Sequence, residues 1–236
     1  MTYTATVLLS GGLDSTTLLA QTLNDGHHAY ALSINYGQRH SKELSQAQTI
    51  ADHYGVKLDV LDLIGLRYVL AGSALTGPNE VPDGHYAAEN MSTTVVPNRN
   101  AILLSIAAGH AAARGHDYVA TAVHAGDHPI YPDCRPEFIL ALSNATKLGT
   151  RTDDRPEGVQ VVAPFVNMDK TGIAELALAY DVPVELTWSC YKGREIHCGR
   201  CGTCVERAEA LDAATGGADP TDYDDPDFWR EAVKSS

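Results

Sequence analysis

Positive charge is in short supply: 17 lysines and arginines face 30 aspartates and glutamates among 236 residues, a formal net charge of −13. An acidic excess of this size works against binding a phosphate backbone over a wide surface, and no basic arm offsets it. A small anionic substrate needs only a local basic pocket and is not excluded. Long apolar runs are missing too, since no segment approaches the ~20 apolar residues of a membrane helix. The N-terminus has neither a basic region nor a signal-type apolar stretch, Val7–Leu9 being too short. These absences predict a soluble cytoplasmic protein with no membrane and no nucleic-acid partner. There is no internal repeat, no low-complexity tract and no glutaminase signature. The ten histidines are scattered, without an H-E-x-x-H pair, and Ser15 lacks a G-x-S-x-G setting, which argues against an acyl-enzyme hydrolase. Cysteine is scarce, five in all, yet four of them fall between Cys190 and Cys204. In a cytosolic chain such clustering suggests metal before disulfide.

What is present is 44% apolar content, enough for one well-buried domain with a small appendage. Thr4–Leu9, Ala29–Ile34 and Leu58–Leu63 read as strands, separated by helical spacings over Leu13–Leu23 and Ser41–Tyr54. This β-α-β-α-β opening is the pattern of a parallel sheet with crossover helices. Gly65–Asn90 breaks the rhythm and reads as a long loop. Helices are expected at Asn100–Ala113, Arg135–Lys147 and Lys170–Tyr180, strands at Tyr118–Val123 and Val159–Ala163, and a short helix at Phe228–Val233. The fold class is therefore α/β, a doubly wound parallel sheet. We place a nucleotide-binding domain at 1–185 and a metal-binding unit with the C-terminal tail at 186–236.

The string Ser10-Gly-Gly-Leu-Asp-Ser-Thr-Thr17 lies between the first strand and the first helix. Glycines let a backbone bend sharply and approach an anion, and the helix N-terminus offers free N–H groups and the positive end of its dipole. Ser10, Ser15, Thr16 and Thr17 add hydroxyl donors. A plain turn capped by Asp14 would give the same local pattern. The string is neither G-x-x-x-x-G-K-[ST] nor G-x-G-x-x-G. It is similar to the S-G-G-x-D-S pyrophosphatase loop (PP-loop) of ATP-dependent adenylating enzymes, matched at Ser10, Gly11, Gly12, Asp14 and Ser15.

Cys190, Cys198, Cys201 and Cys204 give C-x7-C-x2-C-x2-C. Four thiolates close a tetrahedral site with no open position, so the metal would be structural; zinc is the natural occupant and an iron–sulfur cluster the competitor. Lys192, Arg194, Arg200 and Arg207 are candidates to offset the thiolate charge. Cys134 stands apart as a candidate pocket residue. Elsewhere, "YGQRH" places Arg39 just after the second strand, where open α/β sheets bind ligands, although a solvated loop fits the string equally well. "VPNRN" puts Arg99 at a helix start. "YPDCRPEF" holds Asp133 and Arg135 on a proline-stiffened loop, where an internal ion pair is the alternative. Lys170 opens a helix, as a ligand contact or a solvated residue.

Taken together and in order, "SGGLDSTT", "YGQRH", "VPNRN", "YPDCRPEF", "TWSCY" and "CGRCGTCVER" resemble the 7-cyano-7-deazaguanine synthase family of queuosine and archaeosine precursor biosynthesis. One departure is Asn98, where glycine is common in that family. The resemblance implies a Rossmann-like, adenine nucleotide alpha hydrolase-like fold with a small C-terminal zinc unit, a homodimer, and an ATP-dependent ligase. Its substrates would be 7-carboxy-7-deazaguanine, ammonia and ATP, with Mg²⁺ and one structural Zn²⁺ per chain. On that resemblance Leu8, Leu9, Ser10, Gly11, Gly12, Leu13, Asp14, Ser15, Thr16, Thr17 and Arg39 would hold ATP. Arg99 and Lys170 would meet carboxylate or phosphate, Asp133 would accept from the ring edge, and Arg135 would orient it. The nearest rival is a related adenylating enzyme acting on tRNA, a thiolase or lysidine synthetase; a non-enzymatic ATP- or zinc-binding module is the other.

Overall fold

The structure, a computed structural model, describes residues 1–37, 42–70, 72–77, 80–86 and 89–234. Five parallel strands form one sheet in the order β3-β2-β1-β4-β5. They are β1 (Thr4–Leu8), β2 (His28–Asn35), β3 (Leu58–Asp62), β4 (Tyr118–Ala120) and β5 (Gln160–Val162). The helices are α1 (Leu13–Asn24), α2 (Lys42–Tyr54), the single turn α3 (Leu66–Val69), α4 (Arg99–Arg114), α5 (Pro136–Thr150), α6 (Lys170–Ala179), α7 (Gly202–Thr215) and α8 (Phe228–Lys234).

The strand pleat decides which helix each side chain meets. Ala5 and Val7 on β1 and Ala31 on β2 pack with Leu18, Leu19, Ile50 and Ile173 from α1, α2 and α6. Leu32 and Ile34 on β2 face the other way, onto Leu104, Ala107 and Ala111 of α4 and Ile139 of α5. Helices thus cover both faces, the arrangement a fully buried parallel sheet requires. The chain winds outward from β1 through β2 to β3, then returns past β1 to build β4 and β5. That reversal puts a crevice at the carboxyl ends of β1 and β4, the usual ligand position in such sheets.

Two departures from the sequence reading affect the site. The strand read as Tyr118–Val123 stops at Ala120; Thr121 still donates its amide to the Val162 carbonyl at 3.0 Å, and the chain from Thr121 to His124 lines a cavity. Helix α7 was not anticipated. It carries Leu211 and Ala210 into a cluster with Leu13 of α1 and Ala174 and Ala177 of α6, so the cysteine region is packed into the body of the protein. Described residues of the 65–90 stretch pack against that region. Leu70, Leu75 and Val81 share a core with Trp188 and the four clustered cysteines, and Asp83 bridges to Cys201. Asn98 explains its own departure from glycine: it sits at φ +56°, in the left-handed region that Asn tolerates better than most side chains.

Candidate functional site: a loop, a charged cavity and four cysteines

The stretch after β1 turns at Gly11, φ +83°, where a Cβ would lie 2.5 Å from the Glu43 carbonyl oxygen and 2.6 Å from the Ala47 nitrogen. Glycine is therefore required there to let the loop press against α2. Helix α1 begins at Leu13 with Gly12 as its N-cap and no side-chain cap. Asp14 does not cap it; its carboxylate reaches across to Lys170 instead, 2.6 Å away. The first N–H groups of α1 thus retain their capacity for an external anion. Ser10 and Ser15 join hydroxyl to hydroxyl at 3.0 Å. Thr16 and Thr17 correct the expectation that four hydroxyls face a phosphate. Both are fully buried and donate to the carbonyls of Gly12 and Leu13.

The loop opens onto a cavity of about 280 Å³ at the carboxyl ends of β1, β2 and β4. Of the sequence candidates, Leu8, Leu9, Ser10, Asp14, Ser15, Arg99, Cys134 and Lys170 line it. Gly11 and Gly12 shape the turn, and Leu13 is buried in the core. Arg39 lies outside the described residues. Asp133 and Arg135 do not line the cavity. The Asp133 carboxylate accepts the Asn100 amide at 2.8 Å, capping the first turn of α4 from outside. Arg135 donates from Nε to the His128 carbonyl at 3.0 Å. Asp133 thus braces the helix start that presents Arg99, and Arg135 pins the turn at His128.

The cavity also gathers residues to which the sequence assigned no role: Glu43, His124, Asp127 and Tyr86, together with Tyr36, Tyr191 and Glu206, which stand inside the strings quoted above. Lys170 Nζ sits 2.6 Å from Asp14 and 3.4 Å from Glu206. Burial pushes the Asp14 carboxyl up, but the Lys170 ammonium outweighs it and holds the group below the usual carboxylate value. Burial works against the charge on Lys170 as well; Asp14 and Glu206 overcome it and raise the ammonium above its ordinary value. Burial dominates at Glu206, which is raised. One oxygen of Asp14, Oδ1, is buried without a hydrogen-bond partner. The Nδ1 of His124 accepts the Gly126 amide at 3.1 Å, so the ring proton lies on Nε2, which faces Asp14, Asp127 and Glu206 at 3.8–3.9 Å. At the other end of the cavity Tyr36 accepts a hydrogen bond from Arg99, and burial pushes Glu43 up to about 7 against the pull of Arg99.

Cys190, Cys198, Cys201 and Cys204 are all buried, with their sulfurs within 4.8 Å of one another. The Cys198 and Cys204 sulfurs are 3.8 Å apart. That equals the edge of a tetrahedron with metal–sulfur bonds of ~2.3 Å, so the four residues fit a single ion. The amides of Lys192 and Cys198 point at Cys190 Sγ, and those of Arg200 and Cys201 at Cys198 Sγ, at 3.3–3.4 Å. Such donors suit thiolates. The nearby cations are committed elsewhere: Lys192 and Arg200 to Asp83, Arg194 to Asp224, and buried Arg207 to Thr187, Ser189, Thr221 and the Val184 carbonyl. Backbone amides rather than those side chains meet the sulfurs.

A doubly wound parallel sheet, a glycine turn at its switch point and a closed four-cysteine site define the class: an α/β protein with a Rossmann-like core and a candidate phosphate loop. Within that class, the chain belongs to the family described as Queuosine biosynthesis protein QueC, whose sequence profile matches residues 4–215. A relative from Paracoccus denitrificans (strain Pd 1222), named 7-cyano-7-deazaguanine synthase, is 52% identical over 227 residues, 96% of either chain. One of the same name from Rhizobium meliloti (strain 1021) is 52% identical over 229 residues, 97% of this chain and 95% of that one. Among solved structures, NMN synthetase from Francisella tularensis superposes with a TM-score of 0.47 at 15% identity, covering 99% of this chain and 87% of that one.

Proposed function

We propose that this chain is an ATP-dependent carbon–nitrogen ligase that converts 7-carboxy-7-deazaguanine and ammonia into 7-cyano-7-deazaguanine. The observation that carries the reading is the cavity that joins the Ser10–Ser15 loop to Arg99 and Lys170, in a chain whose relatives bear that enzyme's name. A carboxylate cannot expel its own oxygen at neutral pH. Attack by the carboxylate oxygen on the α-phosphorus of ATP releases pyrophosphate and leaves an acyl-adenylate. Ammonia then forms the C–N bond, AMP departs with that oxygen, and a proton is lost. The resulting amide attacks a second ATP through its oxygen; loss of AMP and of the two N–H protons gives the nitrile. Acid and amide are nearly isosteric, so one cavity serves both passes.

In this reading the first amides of α1 and the Ser10 and Ser15 hydroxyls grip the pyrophosphate, while Lys170 and Arg99 face developing negative charge. The loop lacks the lysine of G-x-x-x-x-G-K-[ST] because its task is to hold a leaving pyrophosphate. Asp14, with Oδ1 free of protein partners, is the residue here that would hold Mg²⁺. That ion would neutralise charge on the leaving group. Zn²⁺ is the proposed ion of the four-cysteine site, since thiolate separations within 4.8 Å suit one ion better than a multi-iron cluster. The division at 185/186, a cytoplasmic location and a homodimer belong to the same proposal; no described helix is long and apolar enough to cross a membrane.

The test is direct. The protein, ATP, ammonium and 7-carboxy-7-deazaguanine are incubated, and nitrile, AMP and pyrophosphate are measured. Pyrophosphate release that depends on tRNA, or no turnover at all, would contradict the proposal.

A further inference from the structure

Four carboxylates line the cavity: Asp14, Glu43, Asp127 and Glu206. Three have partners. Lys170 holds Asp14 and Glu206, and Asp127 receives the Tyr86 hydroxyl and the His124 amide. Glu43 is different: among the described residues its carboxylate has neither a hydrogen bond nor an ion pair. Glu43 is half-buried, so at the cavity wall its carboxylate meets only water until a ligand brings donors of its own, and it is available to a donor from outside the protein. Its backbone is held in place, because the Glu43 carbonyl lies against Gly11, where even a methyl group would come within 2.5 Å. Tyr36 and Tyr191 line the same end of the cavity and provide ring surface, and the Arg99 guanidinium is held there by Tyr36.

The inference rests on the substrate proposed above. A 7-deazaguanine ring presents two adjacent donors on one edge, the ring N1–H and the 2-amino group. We propose that Glu43 is the specificity-determining residue that reads this edge, its two carboxylate oxygens accepting the two N–H groups side by side. A paired, charge-assisted contact of this kind is strong and directional. It also discriminates, since a ring without the 2-amino group leaves one carboxylate oxygen unpaired in the cavity. Asp133, the sequence candidate for this role, caps α4 and is not among the residues that line the cavity. Arg99 in the same recess is left to face the ring's carbonyl oxygen and carboxylate.

The experiment measures binding by calorimetry on the full-length, metal-loaded protein. Two ligands are compared, 7-carboxy-7-deazaguanine and the analogue that lacks only the 2-amino group. Wild type should prefer the former by about 10- to 100-fold, the range expected for a bidentate pair. Glu43→Gln, with an unchanged melting temperature, should weaken binding of 7-carboxy-7-deazaguanine by a similar factor and bring the two ligands within about threefold of each other. A merely structural role for Glu43 would instead weaken both ligands alike, and that result, or a wild-type preference retained in Glu43→Gln, would overturn the assignment. A wild type that binds with the stated preference but makes no nitrile would refute the proposed reaction and leave the role of Glu43 standing. Nitrile formation without the preference would refute the role of Glu43 alone, and a wild type that binds neither ligand would overturn both.

Discussion

Replacing Lys170 with methionine tests the charged heart of the cavity. The ammonium is the shared partner of Asp14 and Glu206, and only 14% of its side chain is exposed. Methionine keeps the apolar stem and removes the charge, leaving Asp14 and Glu206 facing each other with Asp127 close by through His124. Breaking a buried pair costs about 3–5 kcal/mol, and the 25% exposure of Asp14 argues for the lower end, ~3 kcal/mol. In a domain of this size that is a fall of roughly 6–12 °C in Tm. The pH dependence has a definite sign. Asp14 has a lowered pKa in the fold, so its contribution is present above its ordinary value of 3.8 and is lost as pH falls through the folded value. Lys170 has a raised pKa, so its contribution is present below its ordinary 10.5 and is lost only at higher pH. The difference between wild type and variant should therefore be largest from neutral pH to about pH 10 and should narrow as pH falls, because Glu206, already raised by burial, and Asp14 take up protons more readily once the ammonium is gone. Calorimetric melts of both proteins across this range provide the measurement. A Lys170→Met protein that melts within a degree of wild type at pH 7 would refute the argument.

Three further outcomes are expected. Gly11→Ala should cost about 1–2 kcal/mol of backbone strain plus about 1–3 kcal/mol of overpacking against α2, and should abolish ATP binding as read by titration calorimetry. Gly26→Ala is its control: at φ +77° with nothing within 4 Å, it should show the strain alone and retain activity. Asp133→Ala should lower stability by about 1 kcal/mol through loss of the α4 cap, and should raise KM for the acid as Arg99 loses its frame, whereas unchanged kinetics would show that the cap does not position Arg99. Elemental analysis of wild type should find about one zinc per chain, and Cys201→Ser should lose most of it; a brown, iron-containing sample would overturn the zinc assignment.

The sequence was most legible where chemistry is local. The glycine turn, the parallel β-α-β opening and the four cysteines each depend on residues close together in the chain, and the structure places them as read. It was least legible where function depends on distance. Glu43, the His124–Asp127 turn and Glu206 lie on three separate segments, and only the winding of the sheet brings them to one cavity. Glu206 stood inside the string "CVER" without a role, because nothing local reveals that α7 packs beside α6 and points it at Lys170. Asp133 and Arg135 sat in a distinctive string, yet the structure uses them to cap α4 and to pin a turn. Thr16 and Thr17 misled for a different reason, since a helix can turn a hydroxyl back onto its own carbonyl four residues earlier. Helix α7 escaped notice because its buried side is shared by Glu206, Arg207, Ala208 and Leu211 and shows little apolar period.

The central claim is that the substrate's own oxygens leave on AMP, and an isotope experiment tests it most directly. With 7-carboxy-7-deazaguanine carrying ¹⁸O in both carboxylate positions, mass spectrometry of the products should find one ¹⁸O in each AMP and two labelled AMP molecules for every nitrile. Unlabelled AMP, or ADP and phosphate in place of AMP and pyrophosphate, would contradict the account.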